Sequence, residues 1–124
     1  MTVVAGIDLG GTVINYTFCD PIGSFLVDGL CEFPARLAEG PQVCLEQIAV
    51  GLQRAADHAH IEYSDVIVAG IATPGPASID GVLSVAGSTN FAHPGWAGFD
   101  LPTELTSRLW IPVVYAHLVC SSIR

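Results

Sequence analysis

The sequence predicts an α/β domain in which three antiparallel strands are followed by parallel strands with helices, and three observations carry that expectation. Residue character alternates from Ile14 to Phe18, apolar residues recur at helical spacing from Leu45 to Ala59, and the continuous apolar run Val66 to Ala72 is bounded by turn signals. At 124 residues the chain is long enough for one domain with a real core and short for a two-domain enzyme.

Taken in order, Val3 to Leu9 reads as an apolar strand that delivers one carboxylate, Asp8, into a Gly10-Gly11 turn closed by Thr12. Neither glycine has a Cβ, so both can take positive φ and let a phosphate approach backbone N–H groups. Asp8 can orient a metal-bound water, and Thr12 can donate a hydrogen bond. A tight hairpin in which Gly-Gly serves geometry alone is the competing reading. No Gly-Lys-Ser/Thr follows, and Gly6, Gly10 and Gly11 miss the spacing of dinucleotide-binding folds.

Ile14, Tyr16 and Phe18 alternate with Asn15 and Thr17, as in a strand with two different faces. Asp20-Pro21-Ile22-Gly23 makes a turn, and Phe25 to Phe33 resumes extended character. Gly40-Pro41 then opens a helix with proline at its first position. Leu45, Ile48, Leu52, Ala55, Ala56 and Ala59 form its apolar face, opposite Glu46, Gln53 and Asp57. Val66 to Ala72 suits a strand covered on both faces and paired in parallel with the first. Thr73-Pro74-Gly75-Pro76 ends it in a stiff loop, Asp80-Gly81 marks a hairpin turn, and Ser88-Thr89-Asn90-Phe91 leads into Pro94-Gly95-Trp96. Pro102 starts a short helix through Leu109, and Val113 to Ala116 reads as a last parallel strand.

Composition narrows the function classes. An apolar fraction of 51% and a charged fraction of 13% exclude a disordered chain. The mean hydropathy of +0.54 is high for a free-standing soluble domain, so self-association is expected. No apolar run reaches the length of a membrane span, and no basic flank precedes the first strand; the expected location is cytoplasmic. Four scattered arginines, no lysine and twelve acidic residues argue against nucleic acid, which needs clustered cations. Residues 1–35 hold Asp8, Asp20, Asp28 and Glu32 without a cation, so phosphate there would need backbone amides and a divalent metal. Cys19, Cys31, Cys44 and Cys120 form no Cys-x-x-Cys pair and are read as buried, reduced thiols. His93 is read as a loop residue, and Trp96 and Trp110 as packing residues.

The element order resembles the ribonuclease-H-like order of actin-like ATPase and sugar kinase folds, and three motifs resemble those of the ROK sugar kinases, the family named for repressor, open reading frame and kinase that includes bacterial glucokinases. Gly6-Ile7-Asp8-Leu9-Gly10-Gly11-Thr12 is similar to the family's first phosphate motif. Ala69-Gly70-Ile71-Ala72-Thr73-Pro74-Gly75-Pro76 is similar to its G-I-G-x-P-G-P segment, and Thr89-Asn90-Phe91 with Gly95-Trp96 and Leu101 to its N-L/F-x-x-G-W stretch. The resemblance covers residues 3 to about 116, matching an N-terminal domain only. It implies ATP- and Mg²⁺-dependent phosphorylation of a hexose in a cleft between two domains. Asp8, Gly10, Gly11 and Thr12 would lie near the transferred phosphate, with Asp8 holding Mg²⁺ through water; Gly75 and Asn90 would border the sugar.

Two departures bear on activity. Val13 stands where the family has a polar residue. After the last strand the family continues Asn-Asp-x-Asn, whose Asp is the general base; this chain has His117-Leu118-Val119-Cys120, and no carboxylate follows Glu104. No catalytic residue is therefore assigned. Residues 1–116 read as an incomplete kinase N-terminal domain, inactive alone, and 117–124 as an atypical tail of the kind a frameshift leaves. The alternatives are a noncatalytic sugar-binding or regulatory module and a nonfunctional gene fragment.

Overall fold

Among the described residues five strands form one sheet, in the order Cys31–Pro34, Val13–Cys19, Val3–Leu9, Val66–Ala72, Val113–Tyr115. The computed structural model describes residues 1–26, 31–73 and 92–115. Strand β1 (Val3–Leu9) turns at Gly10–Thr12 into β2 (Val13–Cys19), which pairs antiparallel with both β1 and β3 (Cys31–Pro34). Strands β4 (Val66–Ala72) and β5 (Val113–Tyr115) run parallel to β1. Of the extended stretch expected from Phe25 to Phe33, Phe25 makes an isolated bridge to Cys19 and β3 begins at Cys31; residues 27–30 lie outside the described residues. The Asp20 turn has a clear cause: its Oδ1 accepts from the N–H groups of Ile22 and Ser24, and Gly23 has φ 94°.

The alternation along each strand sorts residues onto two faces. Ala5, Ile7 and Leu9 stand beside Phe18, Tyr16 and Ile14, and Ala69 and Ile71 continue the row; all are buried. Helix α1 (Pro41–His58) covers this face with Leu45, Ile48, Leu52, Ala55 and Ala56, its start set by Gly40 and Pro41. Helix α2 (Leu101–Leu109) adds Leu101, Leu105 and Leu109, and its Asp100 cap accepts from the Thr103 N–H. An Arg108–Glu46 pair at 2.7 Å joins the exposed flanks of the two helices.

Two sequence expectations need correction here. Strand β4 is not covered on both faces: Ile67, the extra residue where the β1–β4 register shifts, is 53% exposed, and Val68, on the face away from Ala69 and Ile71, is half-buried. Trp110 does not pack. It is 93% exposed, since it ends α2 in the left-handed conformation (φ 60°) with its N–H on the Thr106 carbonyl, which turns the ring outward. Among the described residues, no helix is long and apolar enough to cross a membrane.

Candidate functional site

The β1–β2 turn is built around a close backbone approach. Gly10 donates its N–H to the Val13 carbonyl at 2.8 Å, and a Cβ on Gly10 would lie 2.8 Å from that same oxygen, so only glycine fits. The reason differs from the one expected: the glycines of positive φ among the described residues are Gly23, Gly40 and Gly98, not Gly10 or Gly11. Gly11 and Thr12 are exposed, leaving the tip open to a ligand. The Thr12 carbonyl accepts from the Ala35 N–H at 3.0 Å, which ties the turn to the segment leading into α1.

Asp8 stands on the sheet face opposite Ile7 and Leu9, in register with Asn15 on β2 and Ala72 on β4. It is half-buried at the strand end that leads into the turn. Asn15 next to it carries a buried side-chain oxygen, Oδ1, that receives no hydrogen bond. A carboxylate beside a carboxamide oxygen without a donor is an all-oxygen set, the chemistry a hard cation such as Mg²⁺ takes. Sequence reasoning passed over Asn15, although its place in the alternating stretch put it on the polar side of β2.

Thr73, just past β4, lies one residue beyond the Asp8 level, and its Oγ1 is 3.2 Å from the Tyr115 hydroxyl at the end of β5. The carboxyl ends of β1, β4 and β5 thus present Asp8, Thr73 and Tyr115 along one edge of the sheet, the edge where open α/β sheets bind ligands. The segment from Ala92 packs against the start of α1 and the residues leading into it. Trp96, fully buried, donates its Nε1–H to the Leu37 carbonyl at 2.9 Å. The His93 ring lies against Gly40, where a Cβ would come within 3.0 Å of it, and its Nδ1 accepts from the Gly95 N–H. His93 is therefore a loop-shaping residue, as expected.

Gly75 and Asn90, the expected sugar-bordering residues, lie outside the described residues, as do Asp80-Gly81 and the stretch His117–Cys120. The structure brings Asp8, Gly10, Gly11 and Thr12 together, as neighbours in one hairpin.

The thiols are placed for packing. Cys19 and Cys44 are buried and Cys31 half-buried, all three unbridged. Burial pushes the Cys44 thiol up to about 12 and raises the Tyr16 phenol well above its ordinary value, with Cys44 as a second cause for Tyr16. Because folding favours the protonated thiol, Cys44 contributes stability that is intact below its ordinary value near 9 and lost as pH rises through about 12. Urea midpoints measured from pH 8 to 11 should therefore fall, and Cys44→Ala should make the fall shallower; an unchanged slope would assign the loss to other groups.

No family model matches the sequence, and no curated protein matches it. Solved structures do. A ROK hexokinase from Thermus thermophilus is 28% identical with a TM-score of 0.71, the match covering 92% of this chain and 34% of that one. An inorganic polyphosphate/ATP-glucomannokinase from Arthrobacter sp. strain KM is 22% identical, TM-score 0.72, over 93% of this chain and 44% of that one. A ROK family glucokinase from Streptomyces griseus, solved with glucose and AMPPNP, is 20% identical, TM-score 0.69, over 91% and 32%. The chain thus spans 32% to 44% of the length of these structures. Its structural neighbours are ROK hexokinases, glucokinases and other sugar kinases, to which it is similar along about nine-tenths of its length.

Proposed function

We propose that this chain is the N-terminal domain of an ATP-dependent, glucokinase-like hexose kinase of the ROK type, acting in the cytoplasm and inactive by itself. The observation that carries the reading is the likeness of the fold to the Thermus thermophilus ROK hexokinase over 92% of the chain. The chemistry of the hairpin agrees with it. Phosphoryl transfer is accelerated by positioning and charge neutralisation, and a turn fixed by the Gly10–Val13 hydrogen bond offers rigid backbone amides and the Thr12 hydroxyl to a terminal phosphate.

In this reading Asp8 holds Mg²⁺ through water, and the ion, when bound, neutralises charge on the phosphate oxygens. Gly10, Gly11 and Thr12 orient the phosphate, while Gly75 and Asn90 border the sugar. The proton of the attacking sugar hydroxyl needs a base. None of the carboxylates of residues 1–104 is assigned that role, and His117–Cys120 stands where the family's base would be. The opposite wall of the cleft would come from the part of such a kinase beyond the matched third. Exposed Ile67, Val114 and Trp110 favour self-association of the isolated chain.

Two measurements test this. Purified chain incubated with ATP, Mg²⁺ and a hexose panel should form no sugar phosphate above a control lacking it; product would refute the inactivity. Mg²⁺-AMPPNP should shift the amide resonances of Gly10, Gly11 and Thr12. A nucleotide that leaves those resonances in place would sink the phosphate assignment.

A further inference from the structure

We propose that Asn15 is a positioning residue for the Mg²⁺ assigned to Asp8, its side-chain oxygen accepting a hydrogen bond from a water that the ion carries. The inference rests on that reading of Asp8. Among the described residues, Asn15 Oδ1 is the one buried side-chain nitrogen or oxygen without a hydrogen-bond partner. An orphaned buried acceptor weakens a fold, so one that is kept calls for a reason outside the chain's own contacts.

The neighbours explain why the chain leaves this oxygen unpaired. Asn15 lies inside β2, where a carboxamide has no turn or helix end to cap. Its partners across the sheet are Asp8 on β1 and Glu32 on β3, and a carboxylate offers only acceptors. Val13, the next residue of the same face toward the turn, is apolar, and Asp8 has Ala72 as its partner on β4. An amide oxygen in register with two carboxylates therefore takes its hydrogen bond from a donor that is not part of the sheet. A water on Mg²⁺ is such a donor, because this ion keeps several waters and takes only one or two protein carboxylates. The terminal torsion of a carboxamide is broad and roughly two-fold, which lets the oxygen turn from its screened position toward the Asp8 side. Groups that hold a metal's ligands from one step away govern its affinity alongside the ligands themselves, and Asn15 stands in that relation to Asp8.

Calorimetric titration of the chain with AMPPNP, in Mg²⁺ and again in EDTA, measures how far the metal strengthens binding. Asn15→Ala should cut that gain about tenfold and leave the metal-free affinity unchanged, which also reports that the variant is folded. Asn15→Asp keeps an oxygen at the position and should retain the gain. In the unaltered chain the Asn15 carboxamide resonances should shift with Mg²⁺-AMPPNP and stay in place with metal-free AMPPNP. Four results would each overturn the proposal alone, provided that Asp8→Asn abolishes the gain: a full gain in Asn15→Ala, an equal loss with and without metal, a lost gain in Asn15→Asp, or carboxamide resonances that ignore the metal. A gain that survives in Asp8→Asn, or none in the unaltered chain, would overturn it together with the reading of Asp8.

Discussion

Trp96→Ala should lower the unfolding free energy by about 3–5 kcal/mol, the range for emptying a fully buried aromatic site. The indole is the largest of the fully buried side chains among the described residues, and three separate effects converge on it. It fills the space beneath the segment leading into α1. It donates to the Leu37 carbonyl, a group that also accepts from the Gly40 N–H and so is not orphaned by the loss. It meets the Phe99 ring edge-on, at 5.6 Å and 82°. Trp96→Phe keeps most of the volume and should cost about half as much, the difference from alanine reporting packing more than the hydrogen bond. Urea unfolding followed by far-UV circular dichroism reads both variants. A drop below about 1 kcal/mol for Trp96→Ala would mean that this anchor does not hold the segment.

Gly51→Ala should destabilise the chain by about 2 kcal/mol, against what helix propensity alone predicts. In an exposed helix the exchange gains about 1 kcal/mol. Here a Cβ would lie 2.2 Å from the Tyr16 hydroxyl oxygen, 2.8 Å from its ring carbon and 2.9 Å from the Phe33 Cβ. Tyr16 reaches from β2 into the helix and donates to the Ile48 carbonyl at 3.0 Å; the missing side chain of Gly51 makes room for it. Adding Tyr16→Phe to Gly51→Ala removes the shortest of the three contacts, so the double variant should lose less than the sum of the singles. Strict additivity would show that the tyrosine and the glycine are not coupled.

Parts of the fold are legible from particular residues. Helix α1 is announced by Pro41 and the spacing of Leu45, Ile48, Leu52, Ala55 and Ala56, and all of them are buried. Helix α2 follows from Pro102 and the leucines at 101, 105 and 109. The outcome for Trp110 was not legible, because an aromatic residue at a helix end packs or projects according to the backbone conformation there, and φ 60° turns it out. Nor was the open side of β4: an apolar run reads alike whether one or two layers cover it. At the candidate site Asp8, Gly10, Gly11 and Thr12 were identifiable because they are contiguous. Asn15 and Tyr115 were not, because they join the site only through strand pairing.

The sequence alone determined the local elements, the glycine turn behind Asp8 and the acidic, lysine-free character of the chain. Those are properties of neighbouring residues and of composition. Only the tertiary structure decided that Gly10 is required by a 2.8 Å backbone approach, that Asn15 stands beside Asp8 and that Gly51 makes room for Tyr16. These depend on register and on which helix face meets which strand, and long-range packing fixes both.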